Sequence, residues 1–173
     1  MTHPLEQFKF CPKCGSPRFH EHDFKSKECH DCGFVYYFNS SAATVAVIIN
    51  ENREVLVATR AFEPAKGTFD LPGGFVDMYE TGEESVAREV KEETGMDVKK
   101  VKYLFSIPNL YVYSGFEVQT LDNFYLCETE TSDFHAQDDV AKLQFVKLED
   151  LEPEKFGLVS VRKGVEKIKN III

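Results

Sequence analysis

One segment constrains the chain more than any other. From Pro72 to Met96 it reads PGGFVDMYETGEESVAREVKEETGM. Pro72, Gly73 and Gly74 forbid a continuous helix at the start of this run. Thr81 followed three residues later by Glu84 is a capping box, and Gly95 supplies a left-handed stop, so one helix is specified at both ends. Within it, Glu89, Glu92 and Glu93 fall three and four residues apart on one face. Like charges at those spacings cost a helix about 0.2–0.5 kcal/mol per pair. Arg88 is the one nearby counter-charge, because Lys91 points elsewhere. A sequence that tolerates this repulsion must gain something from gathering carboxylates.

A second constraint lies in the cysteines. Four of the five form CPKC (Cys11, Cys14) and CHDC (Cys29, Cys32); the fifth, Cys127, sits in the strand-like FYLCE. Two C-x-x-C pairs separated by a loop read as a four-thiolate Zn²⁺ site. Gly15 and Gly33 each follow a pair and permit the turn that aims both sulfurs at one point. Such an ion would replace a core that a segment of about 35 residues cannot build. The other readings are two disulfides, disfavoured without a secretion signal, and a redox pair, which needs only one C-x-x-C. His30, inside the second pair, is an alternative ligand. Cys127 reads as a small buried hydrophobe.

The remaining sequence is that of a globular protein. It is 43% hydrophobic and 28% charged, which is incompatible with disorder. The net charge of −9 argues against a general nucleic-acid binder and suits a chain that holds divalent cations. No apolar run is long enough for a membrane span, and the N-terminus lacks a signal pattern, so a cytoplasmic protein without membrane association is expected. ATVAVIINENREVLVATR reads as two strands around a turn at Asn50–Asn52, and VKKVKYLFSI, FEVQTLDNFYLCETE and KLQFVKL as further strands. SVRKGVEKIKNIII reads as a closing amphipathic helix. The expected organisation is a zinc ribbon over residues 1–38 and an α/β domain over 39–173.

Read from Gly74, the spacing is a glycine, five residues, Glu80, seven residues, Arg88-Glu89, an apolar Val90, Glu92-Glu93, Gly95 and apolar Met96. This resembles the Nudix box at every defined position. RAFEPAKGTFDLPGGFVD before it and DDVAKLQFVKLEDL after it also resemble Nudix flanks, and the paired-cysteine ribbon is similar to that of the bacterial NADH diphosphatase branch. The resemblance implies an α/β/α sandwich with a mixed sheet, and hydrolysis of a nucleoside diphosphate linked to another group. It implies Mg²⁺ or Mn²⁺ held by Glu89, Glu92 and Glu93, with the carbonyl of Gly74 as a further ligand. Hard oxygen donors suit these cations, and a bound cation removes the repulsion on the helix. Arg88 would orient a box carboxylate, and Glu80 would act as an outer acid. The general base in such enzymes is either a box acid, here Glu92, or one on a later loop, here Asp138 or Asp139.

The substrate is less defined. Arg60 and Lys66 precede the box and read either as phosphate clamps or as solvated loop charges. Tyr111 and Tyr113, with Phe116, read either as a nucleobase platform or as core aromatics. The NADH diphosphatase branch carries a Ser-Gln-Pro-Trp-Pro-Phe-Pro array where this chain has SIPNLYVYSG. Ser106 and Pro108 match it, but Asn109 stands in place of the tryptophan, and the chain has no tryptophan at all. ADP-ribose, a nucleotide sugar, a dinucleotide polyphosphate and a reduced dinucleotide therefore all stay open. The alternatives to an enzyme are a nucleotide-sensing regulator, against which the retained box acids argue, and recruitment of nucleotide-capped RNA through the ribbon. Lys13, Arg18, Lys25 and Lys27 are interspersed with Glu21, Asp23 and Glu28 there, a mixed rather than basic face. A homodimer is a further expectation from the resemblance.

Overall fold

A computed structural model describes residues 3–131, 133–138 and 140–171. It divides into two compact units, Met1–Ser40 and Ser41–Ile173. The first unit is a three-stranded antiparallel sheet of β1 (Phe19–Asp23), β2 (Ser26–Cys29) and β3 (Val35–Tyr37), in that order. Among the described residues its buried hydrophobic cluster comprises Cys11, Phe19 and Cys29, with Phe34 packed against them, and Leu5 is buried as well. Each C-x-x-C pair is followed by a glycine at positive φ, Gly15 at 74° and Gly33 at 67°. The Gly15 N–H donates to the Cys11 carbonyl and that of Gly33 to the Cys29 carbonyl, so the two pairs sit in matching tight turns.

The second unit carries β4 (Ser41–Ile48), β5 (Glu54–Arg60), β6 (Phe69–Asp70), α1 (Gly82–Thr94), β7 (Val98–Tyr113), β8 (Phe116–Thr129), β9 (Val140–Lys147) and α2 (Val159–Ile171). One sheet is mixed: β4 runs parallel to β8 with Ala46 opposite Tyr125, and β7 pairs antiparallel with β8. The other is antiparallel, in the order β6-β5-β9. Strands β4 and β5 flank the expected turn yet enter different sheets, because each finds its ladder partner far along the chain.

Strand alternation explains the layers. Val45 and Val47 of β4, Val55 and Val57 of β5, and Phe124 of β8 join one core with Val161, Val165 and Ile168 of α2. The intervening Ala46, Ile48, Leu56, Ala58 and Tyr125 join a second core with Val86 and Val90 of α1. Successive side chains point to opposite faces, so strands covered on both sides read as continuous apolar runs such as ATVAVII. The result is a mixed-sheet layer between two helices, an α/β/α sandwich. Close approach of α2 to β8 depends on Gly164, where an added Cβ would lie 2.3 Å from Cε1 of Phe124. Among the described residues no helix is long and apolar enough to cross a membrane.

Helix α1 begins and ends where its caps dictate. Thr81 Oγ1 accepts from the Glu84 N–H and the Glu84 carboxylate accepts from the Thr81 N–H, while Gly95 takes φ 76° and donates to the Lys91 carbonyl. This fixes the rotational phase of the helix, and with it the direction in which its acidic face points.

Candidate active site

Arg88 organises that face. Its Nε and Nη2 donate to the two oxygens of Glu80, each at 2.9 Å, a bidentate fork. Nη1 donates to Glu89 Oε1 at 2.8 Å and to Glu92 Oε2 at 3.0 Å, and Nη2 also donates to the Phe75 carbonyl at 3.0 Å. These bonds occupy all five N–H donors of a guanidinium, so lysine could not substitute. The surrounding carboxylates hold the Arg88 guanidinium well above its ordinary pKa, Glu80 most of all. One cation thus serves three carboxylates, and the site stays net negative.

The glycines bring the preceding loop onto the helix. A Cβ at Gly73, where φ is 151°, would lie 2.0 Å from the Thr44 carbonyl oxygen, so glycine is required there, and one at Gly74 would lie 2.5 Å from Glu89 Oε1 and displace that carboxylate. The Gly73 N–H donates to Glu93 Oε2 at 3.1 Å, and Glu93 is buried. The Gly74 carbonyl accepts from the Thr44 N–H at 2.8 Å, which leaves one lone pair for another partner. Arg88 Nη1 holds Glu89 and Glu92 together, while the Gly73 N–H holds Glu93. Among the described residues, only the four cysteines converge tightly enough to form a ready ligand cluster. The donor chemistry of Glu89, Glu92 and Glu93 fits a hard cation, and Glu92 is half-exposed.

Glu80 has a testable electrostatic consequence. The Arg88 hydrogen bonds, followed by the Asp77 N–H, lower its carboxyl to about 2. A depressed folded-state pKa contributes stability that is complete above the unfolded value, about 4.3 for glutamate, and is lost as pH falls through the folded value. The stability difference between the wild type and Glu80→Gln, measured by urea unfolding, is therefore expected to be flat above about pH 5. It should shrink steadily from there toward pH 2. A difference that is constant across the whole range would remove Glu80 from this lock.

Beside the Gly73–Gly74 loop opens a cavity of about 460 Å³. Arg60 lines it, donating to Asp70 at 2.5 Å and to the Pro64 carbonyl at 2.7 Å. Its charge is therefore already matched by a buried aspartate, whose pKa is raised, chiefly by burial. Tyr111 and Tyr113 also line the cavity; burial and then the Asp122 charge push the Tyr111 phenol up. Lys66 lies outside the lining, and Asp139 lies outside the described residues, while its neighbour Asp138 is exposed. Sequence reasoning missed Asp70, Asn109 and Asp122, all buried and all in the lining. The readable signal was the alternation of Asn109, Tyr111 and Tyr113, which puts all three on one face of β7.

The cysteine site has its own geometry. The four Sγ atoms of Cys11, Cys14, Cys29 and Cys32 lie within 4.8 Å of one another. Cys11 and Cys32 are 3.8 Å apart and Cys14 and Cys29 3.6 Å. A tetrahedral ion with metal–sulfur bonds of about 2.3 Å sets its sulfurs about 3.8 Å apart. A disulfide requires about 2.04 Å, and all four thiols are free. His30 packs instead against His20, with ring centroids 4.7 Å apart. Cys127 is buried, which pushes its thiol up to about 12 and leaves it inert.

Comparison with known proteins bears on both units. The NAD-capped RNA hydrolase NudC of Vibrio atlanticus is 34% identical over 106 residues, which cover 61% of this chain and 39% of that protein. The chain thus matches about two fifths of the length of such relatives. A NUDIX hydrolase from Nitrosomonas europaea superposes with a TM-score of 0.68 at 21% identity, covering 94% of this chain and 90% of that one. A MutT NUDIX hydrolase from Burkholderia pseudomallei gives 0.66 at 22% identity, covering 76% and 99%. The NUDIX domain model matches residues 39–164, spanning the capped helix, the glycine loop and both sheets, and the chain belongs to the Nudix family.

Proposed function

We propose that this chain hydrolyses the phosphoanhydride of a nucleoside diphosphate linked to a second group. The supporting observation is the Arg88 fork, which presents Glu89 and Glu92 from one helical turn beside a glycine loop that lines a nucleotide-sized cavity. Glu89, Glu92, Glu93 and the free lone pair of the Gly74 carbonyl would hold Mg²⁺ or Mn²⁺. When bound, such a cation neutralises diphosphate charge, polarises phosphorus and lowers the pKa of water. Water adds to one phosphorus, the bridging P–O bond breaks, and the bridging oxygen leaves on the second phosphate. Glu92, or an acid of the loop containing Asp138 and Asp139, takes the proton of the attacking water. Arg88 acts as a positioning residue, since its donors are spent on carboxylates and a carbonyl.

In the same reading, Cys11, Cys14, Cys29 and Cys32 hold one structural Zn²⁺, and the enzyme works as a homodimer. The name of the Vibrio relative favours a second substrate form, in which the nucleoside diphosphate is the cap of an RNA. Ribbon binding to RNA would then weaken steeply with salt.

The test is a panel of ADP-ribose, NADH, UDP-glucose and a diadenosine polyphosphate, incubated with and without Mg²⁺. Release of nucleoside monophosphate in the metal arm alone is the expected result. Absence of cleavage across the panel, with Mn²⁺ as well as Mg²⁺, would leave a nucleotide-binding regulator as the surviving reading.

A further inference from the structure

The open aromatic rings of the second unit are gathered rather than scattered. Among the described residues this unit exposes five, Phe62, Phe75, Tyr79, Tyr103 and Tyr113, and three of them, Phe62, Phe75 and Tyr113, line the one cavity. Phe62 is 62% exposed and Tyr113 61%. Neither stacks on another ring of the chain among the described residues. Exposed rings standing singly need no explanation, but rings collected in a concave site form a surface for a planar ligand.

Phe62 is carried on a braced segment. It lies on the loop between β5 and β6, and Arg60 closes the base of that loop. The Arg60 N–H donates to the Thr68 carbonyl at 3.1 Å, and the Arg60 carbonyl accepts from the Gly67 N–H at 2.9 Å. Its Nε donates to the Pro64 carbonyl at 2.7 Å, while Nη1 is anchored on buried Asp70. Tyr113 comes from a different element, the end of β7, where it shares the cavity face with Tyr111. The polar lining does not choose among bases, because Arg60 and Asp70 set donor and acceptor side by side. Flat apolar area is then the selective feature, and every base offers a π-face. We propose that Phe62 and Tyr113 stack on the nucleobase of the substrate. The cavity then discriminates by ring area, purine above pyrimidine, and accepts an amine or a carbonyl on the purine alike.

This inference rests on the reading of the cavity as the nucleotide site of a diphosphate hydrolase, and its test separates the two. The chain has no tryptophan, so Phe62→Trp in the full chain places a single indole reporter at the cavity. Adenosine, inosine, uridine and ribose 5-phosphate are each titrated into this variant without divalent metal. The expected result is saturable quenching of the indole by adenosine and inosine, with affinities within about threefold of each other. Uridine should bind more weakly, and ribose 5-phosphate should leave the emission unchanged. In parallel, Mg²⁺-dependent cleavage of ADP-ribose is followed in further variants. Phe62→Ala and Tyr113→Ala should each raise KM about tenfold and leave kcat within about twofold, because stacking holds ground state and transition state alike. Phe62→Tyr should keep the wild-type KM, whereas Phe62→Leu, apolar but without a flat face, should not. Absence of quenching by adenosine, quenching by ribose 5-phosphate, uridine binding as tightly as adenosine, or an unchanged KM in either alanine variant would overturn the assignment. Base-dependent quenching without any diphosphate cleavage would uphold the stacking role and refute the hydrolase. Cleavage with neither quenching nor a KM effect would do the reverse.

Discussion

Glu92→Gln is expected to lower Mg²⁺-saturated turnover by roughly 10³-fold while leaving thermal stability in metal-free buffer unchanged or slightly higher. The two halves of this expectation have separate causes. Glu92 is half-exposed and accepts a hydrogen bond from Arg88, which the glutamine carbonyl can still accept. The fold therefore loses little. Removing one charge also relieves its repulsion with Glu89 three residues away, about 0.2–0.5 kcal/mol in the helix's favour. The chemistry loses far more, because an amide neither balances a divalent cation nor accepts the proton of an attacking water. Three decades in rate correspond to about 4 kcal/mol of transition-state stabilisation, within what a metal centre supplies. Glu93→Gln is a less clean probe, since Glu93 is buried and anchors the Gly73 N–H. Wild-type turnover in Glu92→Gln at saturating Mg²⁺ would show that the repelling acids serve something other than a catalytic cation.

What the sequence made legible is the structure determined within a few residues. The α1 boundaries follow from Thr81, Glu84 and Gly95, whose capping bonds are local, and the cysteine knuckles follow from Gly15 and Gly33 for the same reason. Strand identities were also readable, but their partners were not. The pairing of Ala46 with Tyr125, and of Leu56 with Phe145, spans most of the second unit, and apolar alternation does not say which strand lies alongside which. Pro108 would ordinarily end a strand, yet β7 runs through it. Because β7 is an edge strand, its missing N–H breaks no inner ladder. The cavity was the least legible part. Arg60 read equally as a phosphate clamp or a solvated loop charge, with no sign of its bond to Asp70, and Asn109 read only as a departure from another branch's tryptophan. Both residues gain their meaning from neighbouring strands, Arg60 from β6 and Asn109 from β8, whose register apolar alternation does not specify.

The second large effect lies in the other unit: Cys29→Ser is expected to abolish zinc binding and to unfold residues 3–40 while the second unit stays folded. Cys29 is fully buried, and among the described residues its hydrophobic cluster holds Cys11, Phe19 and Phe34, with Leu5 the one further fully buried apolar side chain of the unit. A cluster of that size cannot offset the conformational entropy of ordering the segment. A structural zinc contributes about 10–16 kcal/mol of apparent binding energy, which in such a domain is folding energy. Replacing one thiolate with a hydroxyl exchanges a strong zinc donor for a poor one and leaves the remaining sulfurs mutually repelling wherever they ionise. Elemental analysis should give one zinc per chain in wild type purified without chelator, and none in the variant. Limited proteolysis should then cut the variant rapidly within the first unit, while the thermal transition of the second, with its two cores of β4, β5 and β8 against α1 and α2, is retained. A variant that keeps its metal would transfer the fourth ligand to a neighbour such as His30. A metal-free wild type whose first unit still resists protease would mean that the sheet of β1, β2 and β3 is stabilised by packing alone, against the arithmetic of its core.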